Sequence, residues 1–183
     1  MKEVPRKTIK ALFEDARNGN QKAFEIIYKQ LYTPLFRFIY FRIKEVDETK
    51  DLTQIVFLKI FKSINNFKNR EINILPYFFA IARNTVIDYW RQKKNILIKE
   101  EEMEKHLNET INPFQQKEIK DAVQVAIQIL PENQQEIIIL KFINELENKE
   151  ISAITKKSEE TIRQLQSRGL KKLRKYFEEN NIL

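Results

Sequence analysis

Residues 76–94, PYFFAIARNTVIDYWRQKK, set Tyr77, Phe78, Phe79, Tyr89 and Trp90 among Arg83, Arg91, Lys93 and Lys94. Flat rings stack on bases and cations hold phosphates, so this mixture suits a single-stranded nucleic acid. Read as a helix, the stretch carries Asn84, Asp88 and Arg91 at i, i+4 and i+7 on one polar stripe. Phe78, Ala82, Thr85 and Tyr89 fall on another, largely apolar stripe that suits a core. An ordinary amphipathic helix with a solvated basic end has the same pattern, and on this stretch alone both readings stay open. Covalent chemistry has fewer candidates. Asp47, Asp51 and Asp88 could hold Mg²⁺ for a nuclease, but they sit on separate predicted helices with no matching motif. His106 is the only histidine and there is no cysteine, which excludes thiolate zinc sites and any site of two histidines. The two glycines, Gly19 and Gly169, leave no room for a GxGxxG or GxxxxGK phosphate loop. No catalytic residue, metal, cofactor or small-molecule substrate is expected.

A second constellation lies near the C-terminus. A short helix around Ile151 and Ile154, the turn Lys156-Lys157-Ser158 and a longer helix from Glu159 to about Glu178 make a helix-turn-helix pattern. Ser158 is the expected N-cap, and Glu159 and Glu160 suit the positive end of the helix dipole. In that geometry Thr161, Arg163, Gln164, Ser167 and Arg168 face the major groove. Arg pairs bidentately with guanine and Gln with adenine, each worth about 1–3 kcal/mol of discrimination. Lys171, Lys172, Arg174 and Lys175 would meet phosphates and add salt dependence. A plain helical hairpin with a basic end is the competing reading.

The elements that must position these groups read as helices throughout. Residues 7–17 and 21–44 join at Asn18-Gly19-Asn20, where Gly19 supplies a left-handed stop and Asn20 a cap. The second buries Phe24, Ile27, Tyr28, Leu31, Leu35, Phe38 and Ile39, and Thr33-Pro34 is a place for a kink. Asp47 or Thr49 is the expected cap of a third helix, DLTQIVFLKIFKSI. Residues 65–75 read as a loop and Pro76 as the start of the aromatic helix. Residues 95–116 are acidic and polar and read as a linker. Further helices carry Val123, Ile127 and Leu130, then ENQQEIIILKFI after Pro131. The final helix should turn Ile162, Leu165, Leu170, Leu173 and Phe177 inward. The expected fold class is all-α: two small helical domains, residues 1–94 and 117–183, joined by a flexible acidic linker, the second a helix-turn-helix.

Charge supports the division. Of 183 residues, 33 are Lys or Arg and 26 Asp or Glu, for a net charge of +7. Residues 163–175 hold six basic residues and no acid. Two basic surfaces flank an acidic connector, which favours a polyanionic partner. No apolar run reaches membrane-span length and the first residues lack a signal-peptide core, so a cytoplasmic location without membrane insertion is expected.

The chain resembles the extracytoplasmic-function (ECF) sigma factors of bacterial RNA polymerase. Four stretches carry this, in the family's order: NGNQKAFEIIYKQLYTPLFRFI, DLTQIVFLKIFKSI, PYFFAIARNTVIDYWRQKK, and LPENQQEIIILKF followed by KEISAITKKSEETIRQLQSRGLKKLRK. The resemblance implies core polymerase, promoter DNA and an anti-sigma factor as partners. It implies that Asp51, Gln54, Phe57 and Leu58 dock on the clamp helices of the largest polymerase subunit. It implies that a loop with Asn66, Phe67 and Lys68 captures a flipped base of the minus-ten element. Tyr77, Asn84, Asp88, Trp90 and Arg91 would read and melt that element. The helix-turn-helix would bind the minus-thirty-five element through Thr161, Arg163, Gln164, Ser167, Arg168, Lys171 and Lys172. The chain departs from the family pattern at Ile55, where an acid is usual, at Glu160 and Gly169, which replace a glycine and an alanine, and at Gln164-Leu165-Gln166. The alternative is a helix-turn-helix regulator that works without polymerase and has no need of DLTQIVFLKIF.

Overall fold

The computed structural model describes residues 6–64, 73–101 and 118–180, with the side chains of 6–8, 95–101 and 118–121 excepted. Its helices are α1 (Arg6–Arg17), α2 (Gln21–Ile43), α3 (Val46–Ser63), α4 (Ile74–Glu101), α5 (Glu118–Gln128), α6 (Glu132–Ile138), α7 (Asn148–Thr155) and α8 (Glu159–Glu179). No strand occurs among the described residues. The all-α expectation therefore holds.

Local chemistry sets most boundaries. Gly19 has φ +92°, a left-handed conformation that only glycine adopts freely. Asn20 then accepts a bond from the Ala23 amide and starts α2. That helix runs through Pro34 to Ile43 and is stopped by Lys44, itself left-handed at φ 74°. The next helix starts earlier than its sequence suggests. Its N-cap is Glu45, not Asp47 or Thr49. Asp47 is engaged with Lys50, and the Thr49 hydroxyl donates to the Glu45 carbonyl. The aromatic helix α4 begins two residues before Pro76, which lies in the first turn where no amide donor is needed.

The N-terminal helices share one core. Phe13 lies against Phe78, and Phe38 meets Phe79 edge to face at 5.7 Å. Ile27, Leu35, Ile39, Val56, Ile60, Ala82 and Val86 fill the space between them. In the C-terminal half Ile127, Ile137, Ile138, Leu140, Ile151 and Ile162 play that part. The stretch expected as one helix after Pro131 changes winding. After α6 it continues as a π turn, Ile139–Ile143, closed by the Asn144 amide on the Ile139 carbonyl.

On α8 the inward line is Ile162, Leu165 and Gly169. Leu170, expected inward, is exposed instead, while Leu173 and Phe177 are half-buried. Gly169 shows why. A methyl group there would stand 3.0 Å from Cγ1 of Ile138. The missing side chain lets α8 lie directly on α6, and this contact fixes the rotation of α8.

The two halves pack against each other, and their buried residues form one continuous cluster. Arg42 on α2 pairs with Glu132 at 2.7 Å and Glu136 at 3.3 Å on α6. Arg83 on α4 reaches the same Glu136 at 2.8 Å. Asn73 donates to Glu150 on α7, and Asn144 donates to the Pro34 carbonyl.

Candidate nucleic-acid and docking interfaces

Three surfaces gather the residues that the sequence singles out. The first is α3. Asp51 and Gln54 are exposed on it. Beside them Ile55, Leu58 and Phe61 are 42%, 52% and 52% exposed. At about 100° per residue these five side chains share one face of the helix. A contiguous apolar row with polar residues at its edge marks an interaction site more than a solvated surface. Phe57 lies apart from this row. It is buried, with its ring 4.5 Å from that of Tyr28, and supports the face from beneath. Phe61 meets Phe24 edge on at 5.1 Å, which steadies its exposed ring.

The second surface is the polar edge of α4. Tyr77, Asn84, Asp88 and Arg91 fall within about 40° of one line along the helix. Asn84 and Arg91 are exposed. Asp88 stands between Arg91 at 3.6 Å and Lys59 of α3 at 3.8 Å. Lys59 also donates to the Thr85 hydroxyl at 3.0 Å. Lys59 is thus a cation of this edge that sequence reasoning left out. Its signal would have been its place on α3 opposite Asp88, which only the packing of the two helices reveals. The Tyr77 hydroxyl is bonded to Ser63 at 2.7 Å, so its ring rather than its oxygen is what it can offer.

Trp90 does not join this edge. It points roughly 120° round the helix from Asn84. There it lines a cleft of about 470 Å³ between the halves, with Arg42, Lys44, Ile87, Gln128 and Gln135. Lys93 lies 5.7 Å from the centres of both the Tyr89 and Trp90 rings. The Tyr89 hydroxyl donates to Glu48 of α3, and burial together with that bond pushes the phenol well above its ordinary range. Tyr89 therefore stays neutral and ties α4 to α3. Asn66, Phe67 and Lys68 lie outside the described residues.

The third surface is the outer face of α8. The Ser158 hydroxyl caps the helix through the Thr161 amide at 3.2 Å. Thr161, Arg163, Gln164, Ser167, Arg168, Lys171 and Lys172 are all exposed on it. Glu160 holds two of them: Arg163 Nη2 lies 3.1 Å from one of its oxygens and Gln164 Nε2 3.3 Å from the other. Those bonds, with the charge of Arg163, hold the Glu160 carboxyl below its ordinary range. Gln166 points the other way and donates to Asn148 at the start of α7, joining the two helices of the motif. Among the described residues no group of three or more acidic or histidine side chains could hold a metal ion. No helix of those residues is long and apolar enough to cross a membrane.

Comparison with known proteins gives two family matches, Sigma-70 region 2 over residues 27–96 and Sigma-70 region 4 over residues 126–175. The first covers most of α2 and all of α3, together with the aromatic stretch of α4. The second covers the helix-turn-helix and the helices beneath it. Among curated relatives, RNA polymerase sigma factor SigZ of Bacillus subtilis is 31% identical over 70% of this chain and 72% of its own length. ECF RNA polymerase sigma factor SigM of the same organism is 28% identical over 82% of this chain and 93% of its own. The same fold occurs in CnrH bound to the cytosolic domain of CnrY, with a TM-score of 0.74, 17% identity and coverage of 93% and 97% of the two chains. It occurs again in Bartonella quintana RpoE bound to the anti-sigma factor NepR, with a TM-score of 0.70, 22% identity and coverage of 86% and 98%.

Proposed function

We propose how this chain, which belongs to the sigma-70 family of RNA polymerase sigma factors and to its ECF group, divides the work of promoter recognition among its three surfaces. The exposed face of α3 docks on core polymerase through Asp51, Gln54 and Leu58, with Phe57 as its support. The polar edge of α4, with the residues just before it, holds the opened minus-ten strand. The outer face of α8 binds the minus-thirty-five element as duplex. Residues 1–94 and 117–183 are the two working domains. The observation that carries this reading is the apolar row Ile55, Leu58 and Phe61, three large side chains left exposed together on one face of α3 beside Asp51 and Gln54. A regulator that binds operators alone has no use for such a row.

The protein performs no bond chemistry in this reading and is not an enzyme. Opening DNA loses roughly 1.4 kcal/mol per base-pair step. Stacking one captured base returns about 1–3 kcal/mol. One helix edge can trap a base that has left the duplex but cannot open a whole bubble, so the remainder comes from polymerase contacts. The work belongs in the cytoplasm, where polymerase and promoter are. An anti-sigma factor is a fitting regulator, since occluding α3 or α8 would silence the chain.

The test uses promoter DNA, core polymerase and the full chain. Permanganate footprinting should show an opened minus-ten region only when both proteins are present. Changing Asp51 and Gln54 to alanine should weaken co-purification with core and leave the duplex affinity of the free chain unchanged. Unaided opening by the chain, or equal loss of both activities in the double variant, would sink the reading.

A further inference from the structure

Trp90 is the aromatic residue of α4 that none of the three surfaces takes up. It is the only tryptophan of the chain, and 41% of it is exposed. Its ring is held in place: Tyr89 meets it edge on at 5.2 Å, and the Lys93 ammonium lies 5.7 Å from its centre. Together with Ile43 and Ile87 it gives an apolar lining to the cleft of about 470 Å³ already described. Sites for small molecules run from roughly 300 to 1,000 Å³ and combine such linings with a few placed polar groups. The size of this cleft suits one small ligand.

The polar groups on its walls differ in how far they are already satisfied. Arg42 is paired with Glu132 and Glu136. Glu132 is the only acid among the lining residues, and that pair engages it. Lys44 is different. It stands at the left-handed stop of α2, and burial, with no acid beside it, holds its ammonium below the ordinary lysine range. An anion placed there would compensate for the lost hydration. Gln135 offers an acceptor. Its Nε2 donates to the carbonyls of Gln128 at 3.2 Å and Leu130 at 2.8 Å. Two carbonyl partners decide which end of the amide is which, so Oε1 remains to accept from a ligand N–H.

We propose that this cleft binds a purine nucleoside monophosphate, with its base stacked on Trp90, a base N–H on Gln135 Oε1 and its phosphate on Lys44. The exposed indole calls for a flat ring, the uncompensated lysine for an anion, and the amide oxygen for an N–H donor. A nucleotide carries all three on one small molecule, and a purine has the larger face to stack. The site is separate from the polar edge of α4, since Trp90 points roughly 120° round the helix from Asn84. It requires neither polymerase nor promoter and does not depend on the division of labour given above. Each residue of a single strand shares this chemistry, so the test includes one.

With one tryptophan, the intrinsic fluorescence of the full chain reports on the cleft without a label. Adenosine monophosphate should quench it saturably, with half of the effect at about 0.1–1 mM. Free N-acetyltryptophanamide, titrated in parallel, corrects for light absorbed by the nucleotide. Adenosine should bind about tenfold more weakly, for want of one charge-assisted contact. Lys44→Asn removes the charge and suits the left-handed backbone. It should weaken the monophosphate about tenfold and leave adenosine unchanged, with far-UV circular dichroism confirming the fold. Changing Lys171 and Lys172 on α8 to glutamine should alter neither. Quenching that never saturates would overturn the proposal. So would equal affinity for adenosine and its monophosphate, a comparison that needs no variant, or an unchanged monophosphate affinity in folded Lys44→Asn. A loss in the α8 variant would place the phosphate elsewhere and overturn it too. Tighter quenching by a short deoxyadenylate strand, with the same dependence on Lys44, would assign the cleft to a strand and not to a free nucleotide.

Discussion

Glu160 occupies the first turn of α8 with its two oxygens on Arg163 and Gln164. The free chain thus holds two of the side chains proposed to read bases on its own carboxylate. Duplex binding must release them and bring an acid towards phosphates. Exposed pairs of this kind are weak, so the cost to binding is modest. Glu160→Ala is expected to raise affinity for an upstream-element duplex about two- to fivefold at low salt, the gain fading as salt screens the charge. Fluorescence anisotropy across a salt series measures it. A loss of affinity would show instead that Glu160 itself accepts a bond from a base, as carboxylates do from cytosine. Residues whose role is local were readable in advance: Asn20 and Ser158 cap because a short polar side chain before a helix satisfies its free amides. Lys59 and Glu136 were not readable. Each acquires its meaning from a residue on another helix, and no spacing within its own helix signals that partner.

At the scale of elements, helix existence was legible and helix rotation was not. Periodicity fixes which residues are apolar, but the closest neighbour decides which of them turn inward. On α8 the absence of a side chain at Gly169 wins over the bulk of Leu170. On α3 the legible feature was the run DLTQIVF, and the illegible one was that Phe57 sits below the exposed apolar row instead of within it. The turn between α7 and α8 gives a prediction at this scale. Lys156 ends α7 in the left-handed region at φ 60°, its amide bonded to the Ser152 carbonyl. A residue with a β-carbon is strained there by about 1–2 kcal/mol, whereas glycine is not. Part of that gain is lost to the greater freedom of glycine in the unfolded chain. Lys156→Gly should therefore stabilise the protein by about 0.5–1 kcal/mol, read as a higher urea midpoint with an unchanged slope.

For the whole molecule, the net charge of +7 is less informative than its placement. Lys171, Lys172, Arg174 and Lys175 form one exposed basic run along α8, and in the proposed reading they are expected to dominate any duplex contact made without polymerase. Four neutralised phosphates give a logarithmic salt slope of about −3 to −4. Titrating the free chain against duplex DNA from 50 to 200 mM salt, round values on which this slope is conveniently read, should return that figure with little preference for sequence. A slope near zero would remove α8 as the phosphate-binding surface. The acidic stretch between the halves was visible as a composition change, but their mutual packing was not. Ion pairs between residues ninety or more positions apart leave no trace in local pattern.

The bare backbone at Gly169 also constrains how the chain can drift over generations. Its free space is taken by the Ile138 side chain, with Leu130 close behind. Volume at one position is exchanged for volume at the other. A lineage that restores alanine at 169 gains a better helix former, and should retain it most readily where position 138 has shrunk to valine or alanine. The two positions, thirty-one residues apart and on different helices, are therefore expected to change together, so that either one predicts the size of its counterpart.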